Sequence, residues 1–94
     1  MITLDGDLLT SSKTQRLKIQ EGRYLAINFD HENYKVFKSE KSLRKWDKEH
    51  WNSRIYIINS CFDDRFVVSQ VSWYSCANGY YGVETGDLTG RILI

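Results

Sequence analysis

The spacing of apolar residues changes period twice along the chain. In the first third it is short and alternating. Residues 2–4 and 8–10 are apolar-rich and flank Asp5-Gly6-Asp7, a turn signal between two strands. Arg16-Leu17-Lys18-Ile19-Gln20 alternates polar and apolar, which predicts a half-buried strand. Glu21-Gly22 then permits a tight turn into a strand over residues 23–29. Leu25, Ile27 and Phe29 share one face of it, and Tyr24 and Asn28 the other. Asp30-His31-Glu32-Asn33 fits a four-residue hairpin loop. That loop pairs Phe29 with Tyr34. It also puts Leu25, Ile27 and Phe29 on the face of Tyr34 and Val36, so register and pattern agree.

A helical period follows. Ser39 is a good N-cap, and Glu40 places negative charge in the first turn. Leu43, Trp46 and His50 recur at i, i+3 and i+7, with Trp51 one further on. Glu40 with Arg44, and Lys45 with Glu49, are i, i+4 pairs suited to an outer face. Asn52-Ser53 ends the pattern, so a helix is predicted at about residues 40–51.

The final part returns to β periodicity. Residues 54–59 are apolar on both faces, the mark of a central strand. Phe62-Asp63-Asp64-Arg65 reads as a turn, residues 66–77 as a long strand, and Asn78-Gly79 as a hairpin turn. A type I′ turn there pairs Ala77 with Tyr80, Cys76 with Tyr81, Tyr74 with Val83 and Trp73 with Glu84. Thr85-Gly86-Asp87 and Thr89-Gly90 read as further turns. The chain stops on Arg91-Ile92-Leu93-Ile94, an apolar end that implies a docked last strand or a covering partner.

These elements predict an α+β domain: an antiparallel β-meander sheet, with scope to curl toward a barrel, and one helix packed on one side. The 94 residues make a single domain, residues 1–94. A chain this short leaves little room for an internal ligand cavity, which points function to a surface, a groove or an interface. No proline, low-complexity segment or repeat interrupts the chain.

The net charge of +1 gives no global pull toward nucleic acid or anionic lipid. The basic excess is local: residues 35–54 hold seven basic and three acidic side chains. Cys61 and Cys76 form no C-x-x-C pair, and no second pair exists for a zinc site. The N-terminal residues lack the apolar stretch of a signal peptide, and no apolar run reaches the length of a membrane span. The expectation is a cytoplasmic protein with reduced thiols and no membrane partner.

Three features carry candidate chemistry. Lys41, Arg44, Lys45 and Lys48 on the helix are candidates for phosphate binding, with Trp46 and Trp51 able to stack on bases. Against this, Leu43 and Trp46 share a helix face, which suits docking on the sheet with the lysines solvated. Glu40, Asp47 and Glu49 also dilute the field. The second feature is an aromatic hairpin, Trp73-Tyr74 opposite Tyr80-Tyr81. A sheet needs only one face for its core, so either face left outside presents a Trp or Tyr, the residues enriched at binding hot spots. The competing explanation is that cross-strand aromatics merely stabilise the hairpin.

The third feature is catalytic. Asp30, His31 and Glu32 share a loop, and a dyad of Cys61 with a histidine is chemically conceivable. However, a polar turn and a small buried thiol account for the same residues. No phosphate loop, H-E-x-x-H or G-x-S-x-G occurs. The expectation is therefore no catalytic residue, no metal and no cofactor. The chain reads as an accessory interaction protein of inhibitor, immunity or adaptor type, of the kind mobile elements and phage carry. Its expected partner is a protein, bound through Trp73, Tyr74, Tyr80 and Tyr81. Self-association as a dimer is a linked expectation. The alternative is a binder of nucleic acid or a small ligand.

Overall fold

The computed structural model describes residues 1–11, 17–47, 54–76 and 79–93, with the backbone alone at 44, 46–47, 73–76 and 79–85. Seven strands and one helix run in the order β1 (Ile2–Leu4), β2 (Asp7–Ser11), β3 (Tyr24–Asn28), β4 (Asn33–Phe37), α1 (Glu40–Asp47), β5 (Arg54–Phe62), β6 (Arg65–Cys76) and β7 (Gly79–Ile92). The sheet-plus-helix class matches the sequence reading. The expected curl toward a barrel goes to full closure, but the purely antiparallel meander order is not observed. The strands close into a barrel in the order β1-β2-β4-β3-β5-β6-β7, and β2 meets β4 in parallel through Thr10↔Asn33 and Ser11↔Tyr34. Among the described residues no helix is long and apolar enough to cross a membrane.

Local chemistry explains the turns. Asp5 and Gly6 both have positive φ, as the two-residue turn between β1 and β2 requires. Gly22, at φ +85°, allows the turn in which the Arg23 N–H donates to the Gln20 carbonyl. The β3–β4 turn begins one residue earlier than expected. The Asn28 side chain accepts the His31 N–H, Asn28 pairs with Asn33, and Ile27 with Tyr34. The loop is thus residues 29–32. The partners move, but the predicted faces hold: Leu25, Ile27, Tyr34 and Val36 are all buried in the barrel.

Two apolar clusters hold the fold. Inside the barrel pack Ile2, Leu9, Leu25, Val36, Ile58, Phe66 and Val68, joined by the half-buried Leu88 and Ile92 of β7. Outside it, the Leu43 side chain of α1 is fully buried against Ala26, Phe37, Ile55 and Val71. The Ser42 N–H donates to Ser39 Oγ at 3.3 Å, confirming the predicted cap. β5 lies between β3 and β6, the central place its two-sided apolar pattern predicts.

Three other readings need correction. Leu17 to Gln20 form no strand. Leu17 and Ile19 are half-buried on the barrel core while Lys18 and Gln20 are exposed, so the alternation marks an irregular segment packed on the barrel and not a strand. Arg16 lies outside the described residues. Residues 85–87 and 89–90 are not turns but parts of β7. Gly86, at φ +59°, is an unpaired bulge residue: Ser69 pairs with Asp87 and Gln70 with Thr85. Gly90 is glycine because the Phe66 ring occupies the place of its Cβ. Ile92 and Leu93 of the apolar C-terminal end lie at the closure of the barrel. Ile92 pairs with Ile2, and the Leu93 N–H donates to the Met1 carbonyl.

Candidate interaction surface

The barrel uses only part of its two longest strands. β5 pairs with β6 from Arg65 to Gln70 and stops there. β1 pairs with β7 only from Gly90 to Ile92, because the chain turns away at Asp5-Gly6. Between these limits residues 71–76 and 79–84 pair with each other. Among the described residues no third strand joins them. This two-stranded ribbon spans about 20 Å at ~3.3 Å per residue. It fits the elongated form of the molecule, whose extents are 44 × 24 × 21 Å.

All four aromatic candidates lie on this ribbon. Tyr74 is the direct cross-strand partner of Tyr81, Trp73 of Gly82, and Ser75 of Tyr80. The predicted pairing was two positions different, with Ala77 opposite Tyr80. The observed register follows from the barrel. Arg65 pairs with Arg91, and the single extra residue Gly86 then offsets the rest, so that Cys76 meets Gly79 and the connection is residues 77–78. Gly79 belongs to the ladder and not to the turn. Asn78 lies outside the described residues.

A polar chain ties down the base of the ribbon. Ser69, buried on the middle strand, donates to Asp87 Oδ1 at 2.7 Å and accepts from Asn59 Nδ2 at 2.5 Å. Asn59 is itself the unpaired bulge residue of β5, because Ile58 pairs with Val68 and Ser60 with Val67. One serine thus links both bulges, and with them the point where the ribbon leaves the barrel.

The basic helix is less completely seen. Lys41 and Lys45 are exposed on α1, and Lys38 is exposed just before its cap. Arg44 lies in α1, its side chain outside the described residues, as are Lys48, His50 and Trp51 entirely. Burial of Leu43 agrees with a helix that docks by one face and exposes the opposite one.

The described catalytic candidates lie on different elements. Cys61 is an exposed free thiol near the end of β5, and His31 is exposed in the β3–β4 loop. Burial around its sulfur, then the charge of Glu21, push the Cys61 thiol above its ordinary value, the opposite of an activated nucleophile. Among the described residues no three His, Cys, Asp or Glu side chains form a metal-holding group. An open groove of about 440 Å³ lies at one barrel end, between Leu17 and Ile19 of the crossing segment and Ile2, Tyr34 and Ile92 of the barrel. Burial raises the Tyr34 hydroxyl above its ordinary value, opposed by a hydrogen bond with Ser11. No ligand site is assigned to this groove.

The sequence offers the aromatic hairpin as a site, but neither its extension past the barrel ladders nor the Asn59–Ser69–Asp87 chain was legible there. The signal for both was Gly86, which reads as a turn but sits within an otherwise strand-like stretch and marks a bulge. Comparison of the chain with protein-family models, with curated proteins and with solved structures returns no match.

Proposed function

We propose that this protein is a non-catalytic interaction module that binds a partner protein through its β6–β7 ribbon. The observation that carries this reading is the departure of the ribbon from the barrel with four aromatic residues along it. A two-stranded hairpin alone is marginal in water, so a ribbon of this length gains from being covered. Aromatic positions on a rigid β scaffold are also what binding hot spots use. The reading fits an inhibitor, immunity or adaptor role in a reducing cytoplasm. It needs no metal, cofactor or reactive side chain.

The test is capture of partners from the native cell by the tagged chain and by Trp73→Ala and Tyr80→Ala variants. A stoichiometric protein lost on either substitution, with the variant still folded by circular dichroism, supports the reading. Retention of that protein by both variants overturns it. The exposed Lys38, Lys41 and Lys45 favour a second reading, nucleic-acid binding through α1. That reading requires retention on heparin and affinity that falls steeply with salt.

A further inference from the structure

The ribbon's two edges differ in length among the described residues: β6 lacks a second strand neighbour over 71–76, and β7 over 79–89. Among the described residues β7 has β6 on one side along its length and β1 on the other only at Gly90–Ile92. No described strand pairs with its second edge below Gly90. The Gly86 bulge, with its left-handed backbone, breaks that edge and limits regular pairing. At the far end the ladder finishes at Cys76 opposite Gly79. What remains is a regular open edge of seven residues, from Gly79 to Thr85, whose middle residue is Gly82.

We infer that this edge pairs with the same edge of a second copy of the chain, antiparallel, about a two-fold axis at Gly82. Adjacent antiparallel strands related by a two-fold axis must place one residue opposite itself. Only the register centred on Gly82 uses the whole edge. It sets Tyr81 opposite Val83 of the second copy, Tyr80 opposite Glu84 and Gly79 opposite Thr85. Aromatic with β-branched is a favourable cross-strand pair. Glu84 is the one charged residue of this edge, and it faces a tyrosine position and not its own copy. A register centred on Glu84 would oppose like charges, and centres nearer either end shorten the ladder. Glycine at the centre suits a position where another backbone comes close. The edge also lacks the devices that keep strands apart: it has no proline and no lysine, and its bulge lies beyond it. The result is a four-stranded sheet, β6-β7-β7-β6, across the axis. It uses the ribbon's edge and leaves both faces open to a different partner.

The experiment is sedimentation of the purified full chain over a hundredfold concentration range, joined to cysteine cross-linking in a Cys61→Ser, Cys76→Ser background. Directly opposed residues lie ~4.5–5.5 Å apart between Cα atoms. That lies within the range a disulfide spans. Gly82→Cys should therefore give a covalent dimer of twice the 11.1 kDa chain under mild oxidation. Tyr80→Cys and Glu84→Cys should cross-link when mixed with each other, and poorly when alone. The mixed pair decides the matter if Gly82→Cys does not fold. A wild-type chain that stays monomeric at every concentration overturns the inference. So does a dimer whose cross-links show no preference for 82 with 82 and for 80 with 84. Capture of a different protein is read separately, from the Trp73 and Tyr80 variants, so either idea can fail without the other.

Discussion

The ring of Phe66 covers the Cα of Gly90, its direct partner across β6 and β7, so closely that a Cβ built on Gly90 would overlap the ring. The pair lies at the closure of the barrel, where Gly90 also meets Leu4 of β1. Gly90→Ala is sterically allowed by its own backbone, so its cost is one of overpacking, about 1–3 kcal/mol. Phe66→Leu frees the space that the new methyl needs. Urea unfolding of the two single variants and the double variant should show the double losing less than the sum of the singles. Additive losses would mean that the ring and the glycine do not share the space.

Parity explains why side-chain faces were legible in the sequence when partners were not. Both hairpins differ from the predicted registers by a one-residue shift of the turn, which exchanges partners but moves no residue to the opposite face. Leu25, Ile27, Tyr34 and Val36 therefore meet in the core as expected, although Phe29 is not opposite Tyr34. What displaced the turns was local hydrogen bonding at Asn28 and a bulge at Gly86, neither of which hydrophobic period encodes. The parallel contact of β2 with β4, and the insertion of β3 between β4 and β5, join residues far apart in sequence. Alternation says that a strand has a buried face, not which strand lies beside it. The aromatic residues of the candidate site were visible in composition. Their separation from the barrel depends on where β5 and β1 stop pairing, which only the closed sheet defines.

Ser69 is the next point to test, because it joins the two bulges. Ser69→Ala removes its bonds with Asn59 and Asp87. Both outer groups are exposed and can turn to water, so the expected loss is modest, about 1–2 kcal/mol by chemical denaturation. Because the charge of Asp87 enters through Ser69, Ser69→Ala and Asp87→Ala should be non-additive in a double-mutant cycle. Amide exchange at residues 71–76 should quicken more than exchange in β3. Equal protection throughout would show that the serine does not anchor the ribbon.

Cys61 offers a chemical check on the absence of activation. Its thiol is raised above the ordinary range by burial around the sulfur and by Glu21. Alkylation by iodoacetamide, followed by peptide mass mapping, should be slower at neutral pH than for an unstructured cysteine peptide. It should climb as pH rises through and beyond the ordinary thiol range. Glu21→Gln should speed it at neutral pH. A rate above that of the peptide would return Cys61 to consideration as a nucleophile.

Asp64 and Arg91 carry the last expectation, on acid. The Arg91 Nε–H donates to Asp64 Oδ2 at 2.8 Å, and that bond first, with the guanidinium charge, holds the Asp64 carboxyl below its ordinary value. The Asp64 carbonyl also accepts the Ile92 N–H, so the same residue fixes the end of β7 by backbone and side chain. A carboxyl depressed in the folded state stabilises the fold above the unfolded carboxylate range. It loses that contribution as pH falls through its lowered folded value. The melting temperature of Asp64→Asn should therefore lie below wild type at neutral pH and converge with it as acid protonates Asp64. The pair is exposed, so the neutral-pH gap should be small and should shrink further in high salt. A gap that persists unchanged from neutral to strongly acidic pH would show that the carboxylate charge is not what Asp64 contributes to closing the barrel.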